Sequence, residues 1–183
     1  MNNTIFLIVG ESGSGKTILS QALEKQHGLT MLPSYTTRPK RSEDEIGHIF
    51  VSDKEFDNLQ NIVAYTEFCG YKYCATKEQV DIYDTYIIDI NGADFFKKAY
   101  RGSKNVKIIY VNSPLHTRFN RMESRGTEFP EALERVCNDI MDFRGFKEKA
   151  DFIVENNDNT IFSTVVNKTW EYIRNIISED SNE

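Results

Sequence analysis

Short apolar runs alternate along the chain with stretches in which apolar residues recur at helical spacing. Residues 4–9 form the first run, and later runs cover residues 86–90, 106–111 and 151–154. Such runs, rich in branched residues, are typical of strands that are buried on both faces. The alternation predicts an α/β fold of three layers, in which helices cover both faces of a central parallel sheet.

The pattern changes between residues 34 and 85, where the strand-like pieces are shorter. A small helix is predicted over residues 54–59. The strand-like pieces around it are residues 49–51, 62–66 and 71–74. This mixture predicts a small mixed α+β insertion in residues 34–85, on a parallel core formed by residues 1–33 and 86–183.

Length and charge narrow the class of protein. The chain has 183 residues, of which 39% are hydrophobic, and a formal net charge of -6. This length fits a single domain of residues 1–183. The acidic balance argues against a nucleic-acid-binding protein, because such proteins usually carry a basic face.

The lengths of the apolar runs and the pattern of cysteines bear on the cellular compartment in which the protein is expected. The run Ile5 to Val9 is far shorter than the roughly 20 residues that span a bilayer, and it does not resemble a signal peptide. Three cysteines without a Cys-x-x-Cys pattern indicate neither a disulfide framework nor a zinc site. We therefore expect a cytoplasmic protein that does not bind a membrane.

The segment after the first predicted strand matches Gly-x-x-x-x-Gly-Lys-[Ser/Thr] at every fixed position. Its residues are Gly10, Glu11, Ser12, Gly13, Ser14, Gly15, Lys16 and Thr17. The glycines let backbone N–H groups surround a phosphate, Lys16 reaches the terminal phosphates, and the Thr17 hydroxyl holds Mg²⁺. The motif predicts that a nucleoside triphosphate binds with Mg²⁺, and it leaves open a GTPase, a motor ATPase or a small-molecule kinase.

A second basic segment follows at residues 34–41, with Arg38, Lys40 and Arg41 among hydroxyl side chains. Guanidinium groups bind phosphate oxygens in pairs, and hydroxyl groups can satisfy the remaining oxygens. In an acidic chain, this local basic segment predicts a pocket for one small anion.

With these two segments, the sequence resembles the guanylate kinase family, whose members transfer the terminal phosphate of ATP to GMP. The resemblance extends from Ile5 to about Asn157. The motifs are the phosphate loop, Ser34-x-Thr36-Thr37-Arg38 with Arg41, Phe50-Val51-Ser52, Gly70-x-x-Tyr73, Asp89-x-x-Gly92-Ala93 and Arg121-x-x-x-Arg125-Gly126. The resemblance implies a P-loop NTPase fold in which residues 34–85 bind the monophosphate and a short lid covers about residues 121–135.

The resemblance also implies roles for individual residues. The acceptor's phosphate would be held by Ser34, Arg38, Arg41 and Tyr73. The lid arginines would be Arg121, Arg125 and Arg135, which act with Lys16 in catalysis by neutralising charge and excluding water. Asn156 lies where the family's loop passes the adenine of ATP. We expect ATP with Mg²⁺ and a small anionic acceptor, most simply GMP, bound by a monomer or a homodimer.

The guanine pocket departs from the family's pattern. Ala64 stands where the family usually has a glutamate that holds the base, and Ala75 where it has a serine or threonine. His48 aligns near a family tyrosine that contacts the phosphate, after an apparent two-residue shortening. Asp89 remains from an Asp-x-Asp pair as the expected polar contact to the base, and Glu67 is a candidate replacement for the missing glutamate.

Two other functions stay open at this point. Ribose bisphosphate kinases resemble guanylate kinases and lack the base-reading glutamate, so Ala64 is compatible with an acceptor that has no base. Scaffold proteins carry non-catalytic domains that resemble guanylate kinases, and those domains characteristically have a degraded phosphate loop. The intact Lys16 and Thr17 argue against such a binding module.

Overall fold

The computed structural model describes residues 2–40, 42–43, 45–68 and 70–180 of the chain. Its strands are β1 (Thr4–Val9), β2 (Ser34–Thr36), β3 (His48–Phe50), β4 (Ile62–Phe68), β5 (Tyr71–Thr76), β6 (Thr85–Ile87), β7 (Asn105–Asn112) and β8 (Phe152–Glu155). Its α-helices are α1 (Lys16–His27), α2 (Asp53–Asp57), α3 (Lys77–Ile82), α4 (Ile90–Ala99), α5 (Leu115–Glu123), α6 (Phe129–Asp142) and α7 (Phe162–Asp180), and a 3₁₀ helix covers Phe146–Lys149.

Strands β6, β1, β7 and β8 form a parallel sheet in that order. β1 is buried along its whole length. Ile5, Leu7 and Val9 pack into an apolar cluster with residues of α4, whereas Phe6 and Ile8 pack on the opposite face with residues of α1 and α7. The α/β fold with a central parallel sheet is therefore confirmed, and apolar clusters lie on both sides of that sheet.

The predicted strand over residues 86–90 is wrong in extent. β6 begins at Thr85 and ends at Ile87, and Ile90 already belongs to α4. The reason is the side chain of Asp89, whose Oδ1 accepts a hydrogen bond from the N–H of Gly92 at 2.6 Å. This cap satisfies a backbone donor of the first helical turn and so starts the helix earlier than the apolar pattern indicates.

A second sheet, with the order β3–β2–β5–β4, is formed by residues 34–76. It is mixed, because β2 pairs with β3 in parallel and with β5 in antiparallel orientation. The prediction of a single small helix between residues 34 and 85 was wrong, since α3 follows β5. Thr76 and Gln79 form a capping box at the start of α3, a pattern that is readable in the sequence.

The last turn of α7 is joined to the start of the parallel sheet. Asp180 accepts hydrogen bonds from the Thr4 hydroxyl at 2.6 Å and from the Asn105 side chain at 3.2 Å. These contacts lie at the amino ends of β1 and β7, and the phosphate loop lies at the opposite, carboxyl end of the strands. Among the described helices, none is long and apolar enough to cross a membrane.

Candidate active site

The phosphate loop connects β1 to α1 at the carboxyl ends of the parallel strands. Gly13 and Gly15 have φ angles of +77° and +97°, in the left-handed region that glycine adopts without strain. A Cβ on Gly13 would lie 2.5 Å from the carbonyl oxygen of Arg118, and one on Gly15 would collide with the side-chain amide of Asn156. The surrounding structure therefore requires glycine at both positions.

The Lys16 side chain folds back over this loop. Its Nζ donates to the carbonyl oxygens of Gly10 at 2.5 Å and Glu11 at 3.0 Å. Burial lowers the pKa of Lys16 from its ordinary 10.5 to about 8, although the carboxylates of Asp139 and Glu11 act in the opposite direction. The ammonium group is thus held by backbone oxygens that phosphate oxygens can replace.

Asn156, directly after β8, contacts the phosphate loop through its side chain. Its Nδ2 donates to the carbonyl oxygen of Ser14 at 2.7 Å. Its own carbonyl oxygen accepts from the Ser113 hydroxyl at 2.6 Å and from Arg121 at 3.3 Å. Asn156 lines a cavity beside Gly15, and the contact with adenine that the sequence predicts for this residue stays a prediction.

The predicted lid arginines lie on α5, on α6 and in the turn between them. Arg121 is 3.5 Å from Asp158. Arg135 pairs with Glu131 at 2.9 Å, and its guanidinium lies 5.9 Å from the centre of the Phe68 ring. Both guanidinium groups are thus engaged by neighbouring residues in this arrangement.

Two cavities flank the phosphate loop and share Arg125, which is exposed. The cavity on the side of Lys16 is lined by Arg125 and Arg135, and the cavity on the side of Gly15 by Arg125 and Arg121. The structure therefore brings the loop and the three arginines to the same end of the molecule. Their predicted catalytic role stays a prediction.

Thr17 carries the hydroxyl that is expected to hold Mg²⁺, and it is exposed in the first turn of α1. The described residues contain no cluster of three or more His, Cys, Asp or Glu side chains that would hold a metal ion by itself. Mg²⁺ keeps several waters and is usually bound by a few protein oxygens together with substrate phosphates. The donor set fits a magnesium ion that arrives with ATP.

Two of the predicted acceptor-phosphate residues, Ser34 and Tyr73, lie in the second sheet and adjoin His48. The Ser34 hydroxyl is 2.8 Å from Nδ1 of His48, and the rings of His48 and Tyr73 lie edge to face with centroids 5.8 Å apart. Thr17, Ser34 and His48 line one cavity between the two sheets. The register β2–β3 explains this cluster, because Ser34 pairs with His48.

Arg38 is buried at the end of this segment and is held by a carboxylate. Its guanidinium contacts Glu45 through both terminal nitrogens, at 2.5 and 3.3 Å, and lies 5.5 Å from the centre of the Phe50 ring. Hydrogen bonds to Glu45 raise the pKa of Arg38. Arg41, the second arginine predicted to bind the acceptor's phosphate, lies outside the described residues.

The expected base pocket is a cavity between the phosphate loop, β4 and α6. It is lined by Lys16, Thr66, Asp89 and Asn138 among others. Ala64 and Ala75 are opposite each other on β4 and β5 and are buried in an apolar cluster.

Thr66, two residues after Ala64 on β4, supplies a hydroxyl to this cavity. Glu67 also borders it, but its carboxylate accepts a hydrogen bond from the hydroxyl of Tyr65. Residues 65 and 67 alternate with residues 64 and 66 along the strand, so Glu67 points away from the face of Thr66. A base held in this cavity would therefore meet the Thr66 hydroxyl, while the Glu67 carboxylate at the border of the cavity is engaged by Tyr65.

Comparison with known proteins decides the family. A model of the guanylate kinase family matches residues 2–177. The chain belongs to the guanylate kinase family. It is 31% identical over 166 residues to the guanylate kinase of Neisseria gonorrhoeae, covering 84% of this chain and 80% of that protein.

Two further guanylate kinases extend this comparison. The one from Thermotoga maritima is 31% identical over 172 residues, covering 86% of this chain and 81% of that protein. The crystal structure of guanylate kinase from Anaplasma phagocytophilum aligns with a TM-score of 0.62 at 19% identity, over 95% of this chain and 86% of that chain. This structural likeness supports the fold.

Within this guanylate kinase framework, the site residues assigned from the sequence did not include two groups beside the phosphate loop. Asp139 on α6 contacts the N–H of Ser12 at 2.9 Å and Arg118 at 3.1 Å. Arg118 is spaced three and seven residues from Arg121 and Arg125, a helical pattern that could have indicated one shared face. Nothing in the local sequence indicates the contact of Asp139, because 127 residues separate it from Ser12.

Proposed function

We propose that this protein is a guanylate kinase that transfers the terminal phosphate of ATP to GMP or dGMP and forms GDP or dGDP. The observation that carries the proposal is the intact phosphate loop between two sets of anion-binding side chains. Lys16, Arg125 and Arg135 line the cavity on one side of the loop. Thr17 shares a second cavity with Ser34 and His48.

The donor side is suited to hold a triphosphate. Backbone N–H groups of a glycine-rich loop point at phosphate oxygens, and the N-terminus of α1 adds positive potential. Lys16 would exchange its contacts with Gly10 and Glu11 for oxygens of the terminal phosphates. Mg²⁺ on the Thr17 hydroxyl would supply positive charge that is shared between those phosphates.

The acceptor side would hold the phosphate of GMP between Ser34, Arg38 and Tyr73. The guanidinium of Arg38 can donate two parallel hydrogen bonds to a phosphate. The oxygens of the acceptor would have to displace Glu45 from that guanidinium. Phosphoryl transfer asks little covalent chemistry of a protein and depends on in-line positioning and neutralised charge. Arg121, Arg125 and Arg135 would supply that neutralisation as the lid closes and excludes water.

Base recognition would differ from an ordinary guanylate kinase. Ala64 and Ala75 cannot accept the hydrogen bonds that a guanine N1–H and amino group offer, and Asp89 already caps α4. An unpaired polar group on a buried ligand costs about 1–3 kcal/mol. Affinity would therefore depend mainly on the phosphate, with Thr66 and Asp89 among the polar groups that line the cavity for the base.

The family match favours a nucleotide over ribose 1,5-bisphosphate as acceptor. The intact loop with Lys16 and Thr17 favours catalysis over a binding module. A purified sample should be assayed for ADP formation from ATP with GMP, AMP, dTMP and ribose 1,5-bisphosphate. Transfer to GMP is expected. Exclusive use of ribose 1,5-bisphosphate would contradict the proposed acceptor, and no transfer to any of the four would contradict the proposed activity.

A further inference from the structure

A carboxylate of the protein itself accepts a hydrogen bond from a backbone N–H group of the phosphate loop. Oδ2 of Asp139 accepts a hydrogen bond from the N–H of Ser12 at 2.9 Å and one from Arg118 at 3.1 Å. Its side chain is only 14% exposed. Asp139 belongs to α6, so a helix far along the chain contacts the loop through a negative charge.

Arg118 is the fixed member of this cluster. Its side chain is 5% exposed, its Nε donates to the carbonyl oxygen of Ser113, and its backbone lies against Gly13. Asp139 lies instead on α6, a helix whose outer face is exposed to solvent. If the cluster opens, the carboxylate and its helix are the parts that can leave.

The carboxylate is held at a net electrostatic cost. Burial raises the pKa of Asp139, although the Ser12 N–H, Arg118 and Lys16 all act in the opposite direction. The raised pKa means that the carboxylate anion is less favoured at this position than in water. A triphosphate carries more charge and more acceptor oxygens than a carboxylate, so it can displace Asp139 from the Ser12 N–H.

We propose that Asp139 is an internal anion, which holds α6 on the phosphate loop in the nucleotide-free protein and leaves the loop when the triphosphate of ATP enters. The inference rests on the proposed function to the extent that the loop is taken to bind a triphosphate. Like charges cannot share one N–H donor at hydrogen-bond distance, so the carboxylate and the phosphate exclude each other.

The displacement would also move an arginine. Arg135 precedes Asp139 by one helical turn, so the two side chains lie on the same face of α6. In the present arrangement Arg135 pairs with Glu131 and lies over the Phe68 ring. α6 stays packed on Met122 of α5 through Ala132 and Val136, so release of Asp139 lets the helix shift on that contact, and ATP binding thereby becomes coupled to the placement of a lid arginine.

The test compares Asp139→Asn with the wild-type protein and with Glu134→Gln. The asparagine keeps a hydrogen-bond acceptor and loses the charge, and Glu134→Gln removes an exposed charge from the same helix. Affinity for inorganic triphosphate with Mg²⁺ is measured by equilibrium titration. We expect Asp139→Asn to bind at least about tenfold more tightly and Glu134→Gln to remain within about twofold, since hydrogen bonds to charged groups are worth that factor or more.

Equal or weaker binding by Asp139→Asn, including no binding by either protein, would overturn the inference. A second measurement needs no variant. Amide hydrogen exchange in residues 129–142 of the wild-type protein should become faster when inorganic triphosphate is added, and unchanged exchange would also count against displacement. Transfer to GMP is assayed on the same samples. Absence of transfer together with tighter triphosphate binding would refute the proposed function and leave the inference standing.

Discussion

The two sides of the candidate site are built in different ways. On the donor side, the fully buried strand β1 leads into a loop in which Gly13 and Gly15 have positive φ angles, and the proposed phosphate contacts are backbone N–H groups. On the acceptor side, strands β2 and β3 have three residues each, and the proposed contacts come from side chains such as Arg38. Backbone geometry permits few substitutions, whereas side-chain contacts can be exchanged one at a time. We infer that acceptor specificity can change while the donor site stays intact.

The partners of the two key cations in the ligand-free protein show the same contrast. Lys16 is held by neutral carbonyl oxygens of its own loop, which a phosphate replaces without separating an ion pair. Arg38 is held by the carboxylate of Glu45, and an acceptor has to compete with that charge. Ligand binding at Lys16 therefore breaks no ion pair of that lysine, whereas ligand binding at Arg38 has to break its pair with Glu45.

The largest expected effect is that of Lys16→Ala. Loss of a positive charge on the transferring phosphoryl group should lower kcat by about 10²–10³-fold, which corresponds to about 3–4 kcal/mol. Turnover is measured at saturating ATP and GMP, with circular dichroism to verify the fold. Lys25→Ala, which removes an exposed lysine from the same helix, should retain wild-type turnover. Near wild-type turnover by Lys16→Ala would show that the donor site is wrongly assigned.

The substitutions Gly15→Ala and Gly70→Ala compare how well the backbone of each side tolerates a side chain. Both glycines have positive φ, but a Cβ on Gly15 would collide with Asn156 and one on Gly70 would meet open space. Gly15→Ala should cost about 3 kcal/mol of unfolding free energy and weaken ATP binding, whereas Gly70→Ala should cost about 1 kcal/mol. Denaturant melts give both values. Equal losses would mean that the loop can relax around a side chain.

Arg38→Lys addresses the acceptor side. It keeps the charge and removes the paired contacts of the guanidinium, so the KM for GMP should rise by about 10–100-fold with little change in the KM for ATP. Lys40→Ala removes a neighbouring exposed charge and serves as the control. A rise in the KM for ATP of the same size would contradict the assignment of Arg38 to the acceptor.

The smallest expected effect concerns the base. With Ala64 and Ala75 buried in the apolar cluster, the ratio of kcat/KM for GMP to that for AMP should be about 10–100. A site that hydrogen-bonds its substrate fully reaches ratios of about 10⁴–10⁵. Competition assays with the two monophosphates measure the ratio directly. A ratio above about 10⁴ would require a base-reading group other than Thr66 and Asp89.

The same contrast explains how much could be predicted from the sequence. The phosphate loop was readable because its requirements are local, and apolar runs predicted the parallel strands to within a few residues. Helix α3 was readable from the capping box of Thr76 and Gln79 but was overlooked. The contact between Asp139 and Ser12 could not be predicted, because it depends on how α6 packs against a loop that precedes it by more than a hundred residues.

The strand order β6–β1–β7–β8 has a consequence for folding while the protein is being synthesised on the ribosome. Of these four strands β1 is made first, yet it lies inside the sheet, and its neighbours begin at Thr85 and Asn105. At ordinary synthesis rates of 5–20 residues per second, its six apolar or β-branched residues wait on the order of 10 s for a partner strand. During that interval the nascent chain carries an unpaired, aggregation-prone strand, and chaperone capture of this segment should be strongest before residue 85 emerges.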